Sequence, residues 1–364
     1  MVFLKKFLKI VACILFIVIL IVAGYASYIT LQYYRIEDFQ TETIKNPIQQ
    51  QVQKNQEYQI MTYNVGFGAY SQDFSFFMDG GKDSTAKSKK EVLKNTQGVI
   101  ETIQSQNPDF IFLQEVDTNA TRSHHVNQDE QFAQAFLDYS HVHSINFHSG
   151  FLFYPLFKPH GSVMSGLTMF SKYQIQSSVR RSLPVDNTWP TKFFDLDRAI
   201  QIHRLPIQDS KQELVLIHVH LSAYDKGGLI RKKQLEVLNA ILNEEKQKGN
   251  YVLVGGDYNH DLIGDQGASF TNQPVPDWVQ TFPESSLTEG FKIVKIQNAP
   301  SVRSTDIPYD KQNEGKDKKN FFCVVDGFIV SDNIYVSYEK SQIIENEFLY
   351  SDHQPVLMTF TLSE

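Results

Sequence analysis

The sequence predicts an α/β protein with mixed β-sheets that follows one N-terminal membrane-spanning helix. Short β-branched and apolar runs alternate with helical patterns along most of the chain, which is typical of α/β folds. The strand candidates are residues 58–64, 110–114, 166–170, 199–205, 214–221, 251–255, 324–330 and 356–362. Helices are predicted at about 88–106 and 228–248. With 364 residues, of which 41% are hydrophobic, the chain can form one large α/β domain.

The membrane-spanning prediction rests on residues 10–31, an apolar stretch long enough to cross a bilayer, which needs about 20 residues. Residues 1–9 carry lysines and no acidic residue, so the positive-inside rule predicts a basic cytoplasmic stub and an extracytoplasmic domain. The expected location is therefore the cell membrane, with a single pass. A signal peptide cleaved after Ala26, which would release a secreted domain, is the alternative.

Residues 32–57 are polar and rich in glutamine, so they are expected to form a linker that lifts the domain off the membrane. The catalytic domain is expected to span residues 58–364. Cys13 lies in the apolar stretch and Cys323 is alone in the domain, so the domain cannot form an internal disulfide. Cysteine and histidine spacings typical of structural zinc are also absent from the sequence, so any metal should be bound by oxygen.

The charge of the chain argues against tight DNA binding through a broad basic face. Three of the 34 cationic residues and none of the 41 acidic residues precede Tyr34, so the rest of the chain has a net charge of about −10. A protein that neutralises many phosphates normally has a basic surface. Local cationic groups could still contact a substrate, and the candidates are Arg122, Lys158, Arg198 and Arg303.

Polar residues end or interrupt several of the predicted strands. Each one alone could be an ordinary turn residue, but strand ends bring distant parts of a chain together. The set consists of Asn64, Gln114, Glu115, His220, Asp257, Asn259, Asp326, Asp352 and His353. Carboxylate and amide oxygens are the ligands that Mg²⁺ prefers, and histidines supply donors for an anionic oxygen. This combination is what hydrolysis of a phosphate ester requires.

The spacing within this set makes further predictions. Asp257 and Asn259 are two residues apart, so they project to one side if the backbone stays extended. His218 shares a strand face with His220 but lies deeper in the apolar run, which favours a structural role for His218. The remaining histidines of the domain's first half are expected mostly at the surface or in loops: His124, His125, His141, His143, His148 and His160.

These residues resemble the endonuclease/exonuclease/phosphatase superfamily, which includes pancreatic-type deoxyribonucleases, abasic-site endonucleases, neutral sphingomyelinases and inositol polyphosphate 5-phosphatases. The resemblance covers nearly the whole chain after residue 57, and its specificity comes from the order of several short blocks. They are Met-Thr-Tyr-Asn at 61–64, Leu-Gln-Glu-Val-Asp at 113–117, Ser-Gly-Leu at 165–167, Phe-Ser-Lys at 170–172, His-Leu-Ser-Ala-Tyr at 220–224, Gly-Gly-Asp-Tyr-Asn at 255–259, Val-Asp-Gly at 325–327 and Ser-Asp-His-Gln-Pro at 351–355.

The resemblance implies a four-layer sandwich of two mixed β-sheets flanked by helices, with the site at one end of the sheets. It implies Mg²⁺ as cofactor, with Mn²⁺ or Ca²⁺ as substitutes. The implied metal residues are Glu115, Asn64 and Asp352. The implied catalytic residues are Asp257, Asn259, His220, His353 and Asp326. Asp257 would position water, and Asn259 would contact phosphate. His220 and His353 would be phosphate-side donors or acid/base groups, and Asp326 would orient a histidine.

Differences between this sequence and particular branches of the superfamily reduce the number of expected substrate classes. The 5-phosphatase run before the late acid is missing, because Phe322-Cys323-Val324-Val325 precedes Asp326. The first block also differs from that of abasic-site endonucleases, whereas residues 222–228 resemble uncharacterised bacterial membrane members. We expect a phosphoester of a lipid headgroup, a small molecule or a nucleic acid, and no protein partner. The alternatives are a secreted-type nuclease and a non-catalytic surface module.

Overall fold

The computed structural model describes residues 2–193, 196–223 and 228–363, so part of the 222–228 resemblance lies outside the described residues. The helices are α1 (Val2–Gln32), α2 (Lys89–Gln106), α3 (Gln128–Ala135) and α4 (Leu229–Gln247). The strands are β1 (Gln40–Thr41), β2 (Glu57–Asn64), β3 (Phe110–Asp117), β4 (Ser140–Leu152), β5 (Gly161–Ser171), β6 (Ser177–Ser182), β7 (Ala199–Pro206), β8 (Glu213–His220), β9 (Tyr251–Asp257), β10 (Phe291–Val294), β11 (Val302–Arg303), β12 (Phe322–Cys323), β13 (Asp326–Ser331), β14 (Ile334–Ile343) and β15 (Val356–Leu362).

Two mixed sheets form the centre of the described chain and confirm the predicted fold class. One sheet has the strand order β14-β15-β2-β3-β5-β4, and the other has the order β1-β6-β7-β8-β9-β13-β10. Each contains a parallel pair, β2 with β3 and β8 with β9, among antiparallel neighbours. Parallel strands need a long crossover, which α2 supplies in the first sheet and α4 in the second.

Buried apolar residues form a core between the two sheets and a core on the outer face of each sheet. Phe110, Phe112 and Phe328 belong to the core between the two sheets. Val99 and Ile103 of α2 pack on the outer face of the six-stranded sheet, and Leu238 of α4 belongs to the core on the outer face of the seven-stranded sheet. Helix, sheet, sheet and helix therefore stack as four layers.

Local sequence signals set the bounds of α2. Ser88 caps its N-terminus by accepting a hydrogen bond from the N–H of Glu91, which satisfies an otherwise unpaired donor. Asn107 ends the helix in the left-handed conformation and is followed by Pro108, which cannot continue a helix. The predicted stop at Asn107-Pro108 is thus where the helix ends.

Helix α1 is long and apolar enough to cross a membrane, as the sequence predicts. None of its residues is buried in the protein, and most of its apolar side chains are exposed. A helix that is apolar on every face is expected in a bilayer rather than on the surface of a soluble domain.

Residues 33–56 do not match the expected spacer that lifts the domain off the membrane. Strand β1 lies in this segment and pairs with β6, and Lys45 bridges to His141. Val52 is fully buried in the core between the sheets and bridges to Ile207. The glutamine-rich composition hides these contacts because backbone hydrogen bonds, which any residue can make, hold most of the segment.

The expectation of exposed histidines is wrong for two residues of β4. His141 and His143 both contact the carboxylate of Asp129, with Nε2 of His141 at 2.7 Å and Nδ1 of His143 at 3.4 Å from Oδ1. His141 also stacks on Phe170. Their partner comes from α3, which the sequence analysis did not predict. The hydrogen bond to Asp129 makes burial of the His141 ring tolerable.

Far from the predicted site, Arg204 of β7 holds Glu245 near the end of α4. Two guanidinium nitrogens of Arg204 contact the Glu245 carboxylate at 2.5 and 3.1 Å, and Asn250 donates a further hydrogen bond. Burial alone raises the pKa of Glu245, but these partners outweigh it and lower the pKa to about 2. A carboxylate with a lowered pKa stabilises the fold above its unfolded-state pKa, and that stability is lost as pH falls.

We therefore predict that Glu245→Gln lowers the free energy of unfolding at pH 7 by about 2–3 kcal/mol. The difference from the wild type should shrink as pH falls from 4.5 towards 2, because the wild-type carboxylate is then protonated as well. Denaturant unfolding in detergent, followed by tryptophan fluorescence, measures both quantities. The exposed neighbour Glu244 provides the control, and Glu244→Gln should cost less than about 0.5 kcal/mol. Equal costs at the two positions would contradict the prediction.

Candidate active site

The predicted site residues meet at one end of the two sheets, around an open cleft of 1560 Å³. Strands β2, β3, β8 and β9 end there, with the start of β13 beside them. Six of the predicted residues line the cleft, namely Glu115, His220, Asp257, Asn259, Asp352 and His353. Asn64 and Asp326 are buried directly behind them and hydrogen-bond to residues of this group. The structure thus brings all eight predicted residues to one place.

Glu115 reaches the cleft because of an irregularity in β3. The pairing of β3 with β5 shifts register between Leu113 and Val116, and Glu115 has a φ of 57°. Such a bulge bends the strand and redirects a side chain that would otherwise follow the regular alternation. Its carboxylate remains 26% exposed at the cleft, so an ion or substrate can reach it.

Asn64 is buried and holds two carboxylates close together. Its amide nitrogen donates to Oδ2 of Asp257 at 3.0 Å and to Oε1 of Glu115 at 3.3 Å. Its amide oxygen accepts the N–H of Gly66. In this arrangement Asn64 fixes the positions of two acidic groups, one on each sheet.

Asp257 and Asn259 line the same cleft, but the backbone between them is not extended. Strand β9 ends at Asp257, and Asn259 adopts a left-handed conformation with a φ of 49°. Oδ1 of Asp257 accepts the N–H of Asn259, which is a turn that aspartate commonly forms. The side chain of Asn259 donates to the carbonyl of Leu221, so it bridges the ends of β8 and β9.

His353 and Asp326 form a buried ion pair across the two sheets. Nδ1 of His353 donates to Oδ2 of Asp326 at 2.8 Å, and the hydroxyl of Ser301 donates to the same oxygen at 2.7 Å. Burial alone lowers the pKa of His353, but the neighbouring carboxylates, Asp326 above all, raise it to about 10. His353 is therefore a cation at neutral pH, with Nε2 3.9 Å from Oδ2 of Asp257.

His220 has the opposite protonation state. Burial, followed by the positive charges of Arg198 and His353, lowers its pKa well below the usual value. Nε2 of His220 lies 3.5 Å from Oδ2 of Asp257 and 4.0 Å from Oε1 of Glu115. Of the two predicted histidines that line the cleft, His220 is thus neutral and His353 is charged, and such a division commonly separates proton-accepting from proton-donating groups.

The buried carboxylates are crowded. Burial and the negative charge of Asp326 raise the pKa of Asp257 to about 7, although His353 opposes the shift. Burial likewise raises the pKa of Asp352 to about 6, against the attraction of His353. Oδ1 of Asp326 is buried and has no hydrogen-bond partner among the described residues. Negative charge concentrated in this way favours a bound cation.

Three of the four predicted cationic residues line the cleft and are buried, namely Arg122, Arg198 and Arg303. Arg122 makes a two-point ion pair with Asp117 and lies over the ring of Phe67. Arg198 donates to the carbonyl of His220. Buried arginines held by such contacts are suited to bind an anion at a fixed position.

The comparisons with known proteins agree with this geometry. The family model described as "Endonuclease/Exonuclease/phosphatase family" matches residues 61–353, which is most of the chain. The chain belongs to this family. As a member of the family, it is a hydrolase that acts on phosphoester bonds. The resemblance seen in the sequence is thereby confirmed. No curated protein matches the sequence.

Solved structures show the same fold at low identity. An endonuclease/exonuclease/phosphatase from Beutenbergia cavernae is 14% identical, with a TM-score of 0.56, over 85% of this chain and 72% of that one. A family protein from Leptotrichia buccalis is 18% identical, with a TM-score of 0.54, over 83% and 99%. TDP2 from D. rerio, in complex with a single-strand DNA product, is 14% identical, with a TM-score of 0.52, over 84% and 100%.

Enzymes of the endonuclease/exonuclease/phosphatase family generally depend on a divalent metal, and the residues of this cleft fit one. Asp257, Asp326 and His353 form a buried group whose potential ligand atoms lie within 4.8 Å of one another. His353 already uses Nδ1 to bind Asp326 and is protonated at neutral pH, which makes it a poor metal ligand. Glu115 and Asp352 also line the cleft, where an ion can enter.

Several residues that hold the site could not be recognised in the sequence. Ser301 donates to Asp326, and Ser351 donates to the backbone carbonyl of Asn64. His160 was expected at the surface, but it is buried in the cleft wall, where burial lowers its pKa to about 4. A serine in a loop carries no recognisable pattern. For Ser351, its position next to Asp352 in the 351–355 block was the available signal.

We predict that Mg²⁺ or Mn²⁺ raises the melting temperature of the protein by mass action, because the ion binds only the folded site. Glu115→Ala should abolish this response by removing the cleft-side carboxylate. The matched control is Glu101→Ala on the exposed face of α2, which should respond like the wild type. Thermal unfolding with and without EDTA checks all three proteins, and a wild type unaffected by any metal concentration would refute a metal site here.

Proposed function

We propose that the chain hydrolyses an extracytoplasmic phosphodiester or phosphomonoester with the help of a divalent cation and an activated water. The observation that carries the proposal is the division of charge in the cleft. Carboxylates with raised pKa values adjoin a protonated His353, and buried arginines line the same cleft. Such a site suits a metal ion and a phosphoryl group together. The positive ion balances the carboxylates, and the negative phosphoryl group balances the arginines and His353.

Glu115 and Asp352 would hold the cation, and Asn64 would support it by fixing Glu115. Mg²⁺ suits these oxygen ligands, and Mn²⁺ or Ca²⁺ could take the same place. A bound divalent ion would polarise the phosphoryl oxygen and offset developing negative charge. The oxygens that face the cleft are available for this role, whereas Oδ2 of Asp326 is committed to His353 and Ser301 and its Oδ1 is buried.

Asp257 is placed to orient and deprotonate the attacking water. Its pKa of about 7 lets it accept a proton near neutral pH, and Asn64 and the N–H of Asn259 fix the carboxylate. The water oxygen bonds to phosphorus, and the bond from phosphorus to the leaving oxygen breaks. The proton taken from water stays on the carboxylate of Asp257. The leaving oxygen receives a different proton from a donor in the cleft.

The two histidines take different parts. Protonated His353, oriented by Asp326, can donate to a phosphoryl or leaving oxygen through Nε2. Neutral His220 can donate one hydrogen bond to phosphate without adding a charge. Asn259 lines the cleft beside Asp257 and is expected to contact the phosphate. Asp326 acts through His353 and is therefore a positioning residue.

Helix α1 supports the proposed location. An uncleaved α1, with residues 1–9 in the cytoplasm, would hold the domain on the outer side of a cell membrane as a single-pass anchor. Cleavage after Ala26 would separate Tyr25 from Phe151, whose backbone carbonyl it contacts. This contact supports the anchored form over the secreted one.

A secreted-type nuclease is the second candidate. The TDP2 structure in complex with single-strand DNA product supports it, because that fold accommodates a nucleic acid strand. The buried arginines of this cleft could contact a phosphate backbone. The net charge of −7 argues against it, since the chain lacks the excess of cations that draws nucleic acid to a protein.

A non-catalytic binding module with the same fold is the remaining alternative. Such a module does not require the protonated His353 beside Asp257, whose pKa is about 7. Burying these two ionisable groups would destabilise the module without serving its function. The intact set of carboxylates and histidines therefore favours an enzyme.

We predict that Asp257→Asn and His353→Ala each lower turnover by about 100-fold or more. The first removes the proton acceptor, and the second removes a charged donor, while the core between the sheets is untouched. Asp332→Asn and His125→Ala, both at exposed positions, are the matched controls and should keep wild-type rates. Near-wild-type turnover in either site variant would remove that residue from the mechanism.

The reaction class is tested with the full chain in detergent, with Mg²⁺ or with EDTA. Single- and double-stranded DNA, sphingomyelin or phosphatidylinositol in vesicles, and bis-p-nitrophenyl phosphate are the substrates. Cleavage that EDTA stops and Asp257→Asn abolishes is the expected result. Faster cleavage of DNA than of the other substrates would favour the nuclease. The binding module would be favoured if none of these substrates were cleaved.

A further inference from the structure

The connection between β4 and β5 carries an exposed group of large apolar side chains, which we call the apolar tip (residues 153–157). Phe153, Tyr154, Leu156 and Phe157 all project into solvent, and Phe157 is 100% exposed. Soluble proteins rarely expose contiguous apolar patches of this kind unless the patch contacts a membrane or another protein. Lys158 directly follows the tip.

The tip is an extension of β4 that runs down α1 towards the membrane. The rings of His148 and Tyr34, just after α1, are 4.3 Å apart. Further along β4, the N–H of Phe151 donates to the hydroxyl of Tyr28, and the hydroxyl of Tyr25 donates to the carbonyl of Phe151. As β4 advances, its contacts therefore step back along α1 towards the N-terminus.

The depth of these contacts follows from the geometry of a helix. Lys9 is the last charge before the apolar stretch, and about 20 helical residues cross the hydrocarbon, which therefore ends near Ile29. Tyr25 then lies about 6 Å inside that boundary. The ring of Phe153 packs against Tyr25, with centroids 5.0 Å apart, so the tip lies at or below the headgroup level.

The base of the tip is held in place by polar and ring contacts. The hydroxyl of Ser84 donates to the carbonyl of Lys158 at 2.5 Å, and the N–H of His160 donates to the carbonyl of Tyr154. The ring of Tyr154 also contacts Phe77. The apolar side chains are therefore presented by an ordered base, as in interfacial membrane anchors.

The cleft of the candidate active site continues to the tip. Its lining includes Tyr25, Phe153, Tyr154 and Leu156 at one end, and Glu115 with His353 at the other. An apolar path therefore leads from the outer end of α1 to the catalytic groups. Such a path suits a molecule with a phosphoester at one end and a long apolar chain at the other.

We propose that the apolar tip inserts into the outer part of the bilayer beside α1, so that the cleft takes its substrate from the membrane: a phosphoester that carries a long acyl or alkyl chain. The tip is thus a second membrane contact, and it selects amphiphilic substrates. The proposal rests on the proposed function, since it names the substrate class of that same site. Water attacks phosphorus as described above, and the apolar chain stays in the bilayer.

Insertion is tested independently of activity with the full chain in phosphatidylcholine–phosphatidylglycerol vesicles. A fluorescent label that senses polarity is placed at Phe157→Cys in a Cys13→Ala background, where the buried Cys323 is protected. The matched control is Leu137→Cys, since Leu137 is 72% exposed but precedes β4 at the opposite end of the sheet. Spin labels on the lipid chains should quench the label at 157 at least about twofold more than at 137. Equal quenching overturns the proposal.

Substrate class is tested with two diesters that have the same leaving group, methyl p-nitrophenyl phosphate in solution and hexadecyl p-nitrophenyl phosphate in the same vesicles. The wild type should prefer the hexadecyl ester. Phe157→Ser should lower the ratio of hexadecyl to methyl turnover about tenfold, because an inserted phenyl group is lost. Leu137→Ser should keep the wild-type ratio.

The outcomes separate the two proposals. If the wild type cleaves neither ester, the proposed function itself fails. If it cleaves the methyl ester and the hexadecyl ester no faster, the proposed function stands and the membrane substrate is overturned. The membrane substrate is also overturned if Phe157→Ser leaves the ratio of hexadecyl to methyl turnover unchanged. It is overturned likewise if single-stranded DNA is cleaved faster than the hexadecyl ester.

Discussion

The hydrogen bond from Asn64 to Asp257 joins the two sheets at the point where the chemistry is expected. Asn64 ends β2 in one sheet, and Asp257 ends β9 in the other. Face-to-face sheets are about 10 Å apart and are normally held by apolar packing alone. Here a polar row continues that interface, because His353 binds Asp326 and His218 contacts Gln114 across the same gap. The sheets cannot shift against each other without separating these groups.

This arrangement explains why the site residues are so well buried. The apolar core between the sheets excludes water, so every carboxylate at its edge is costly to ionise without a partner. The exclusion of water raises the pKa of Asp257, whereas the pKa of His353 is raised by the neighbouring carboxylates, above all Asp326, against the effect of burial. The core thus determines the protonation of the site as well as its shape.

The sequence predicted the fold class, the bounds of α2 and the eight residues that gather at the cleft, because strand periodicity and the ordered blocks are properties of neighbouring residues. It could not predict how Glu115 enters the cleft, since a bulge depends on pairing with β5. The backbone turn at Asn259 was missed for a similar reason, because the side chain of Asp257 forms it. Contacts distant in sequence, such as that of Ser301 with Asp326, left no local pattern.

The pairing of β1 with β6 has a mechanical consequence. The chain leaves α1 and joins the edge of the seven-stranded sheet within eight residues, and Arg35 binds Asp197 on the way. In the anchored form proposed above, a domain fastened so close to α1 would keep one height and one face above the lipid surface. For the membrane-held substrate proposed above, encounters would then be set by lateral diffusion in two dimensions, and their rate would scale with the surface density of the substrate rather than with its bulk concentration.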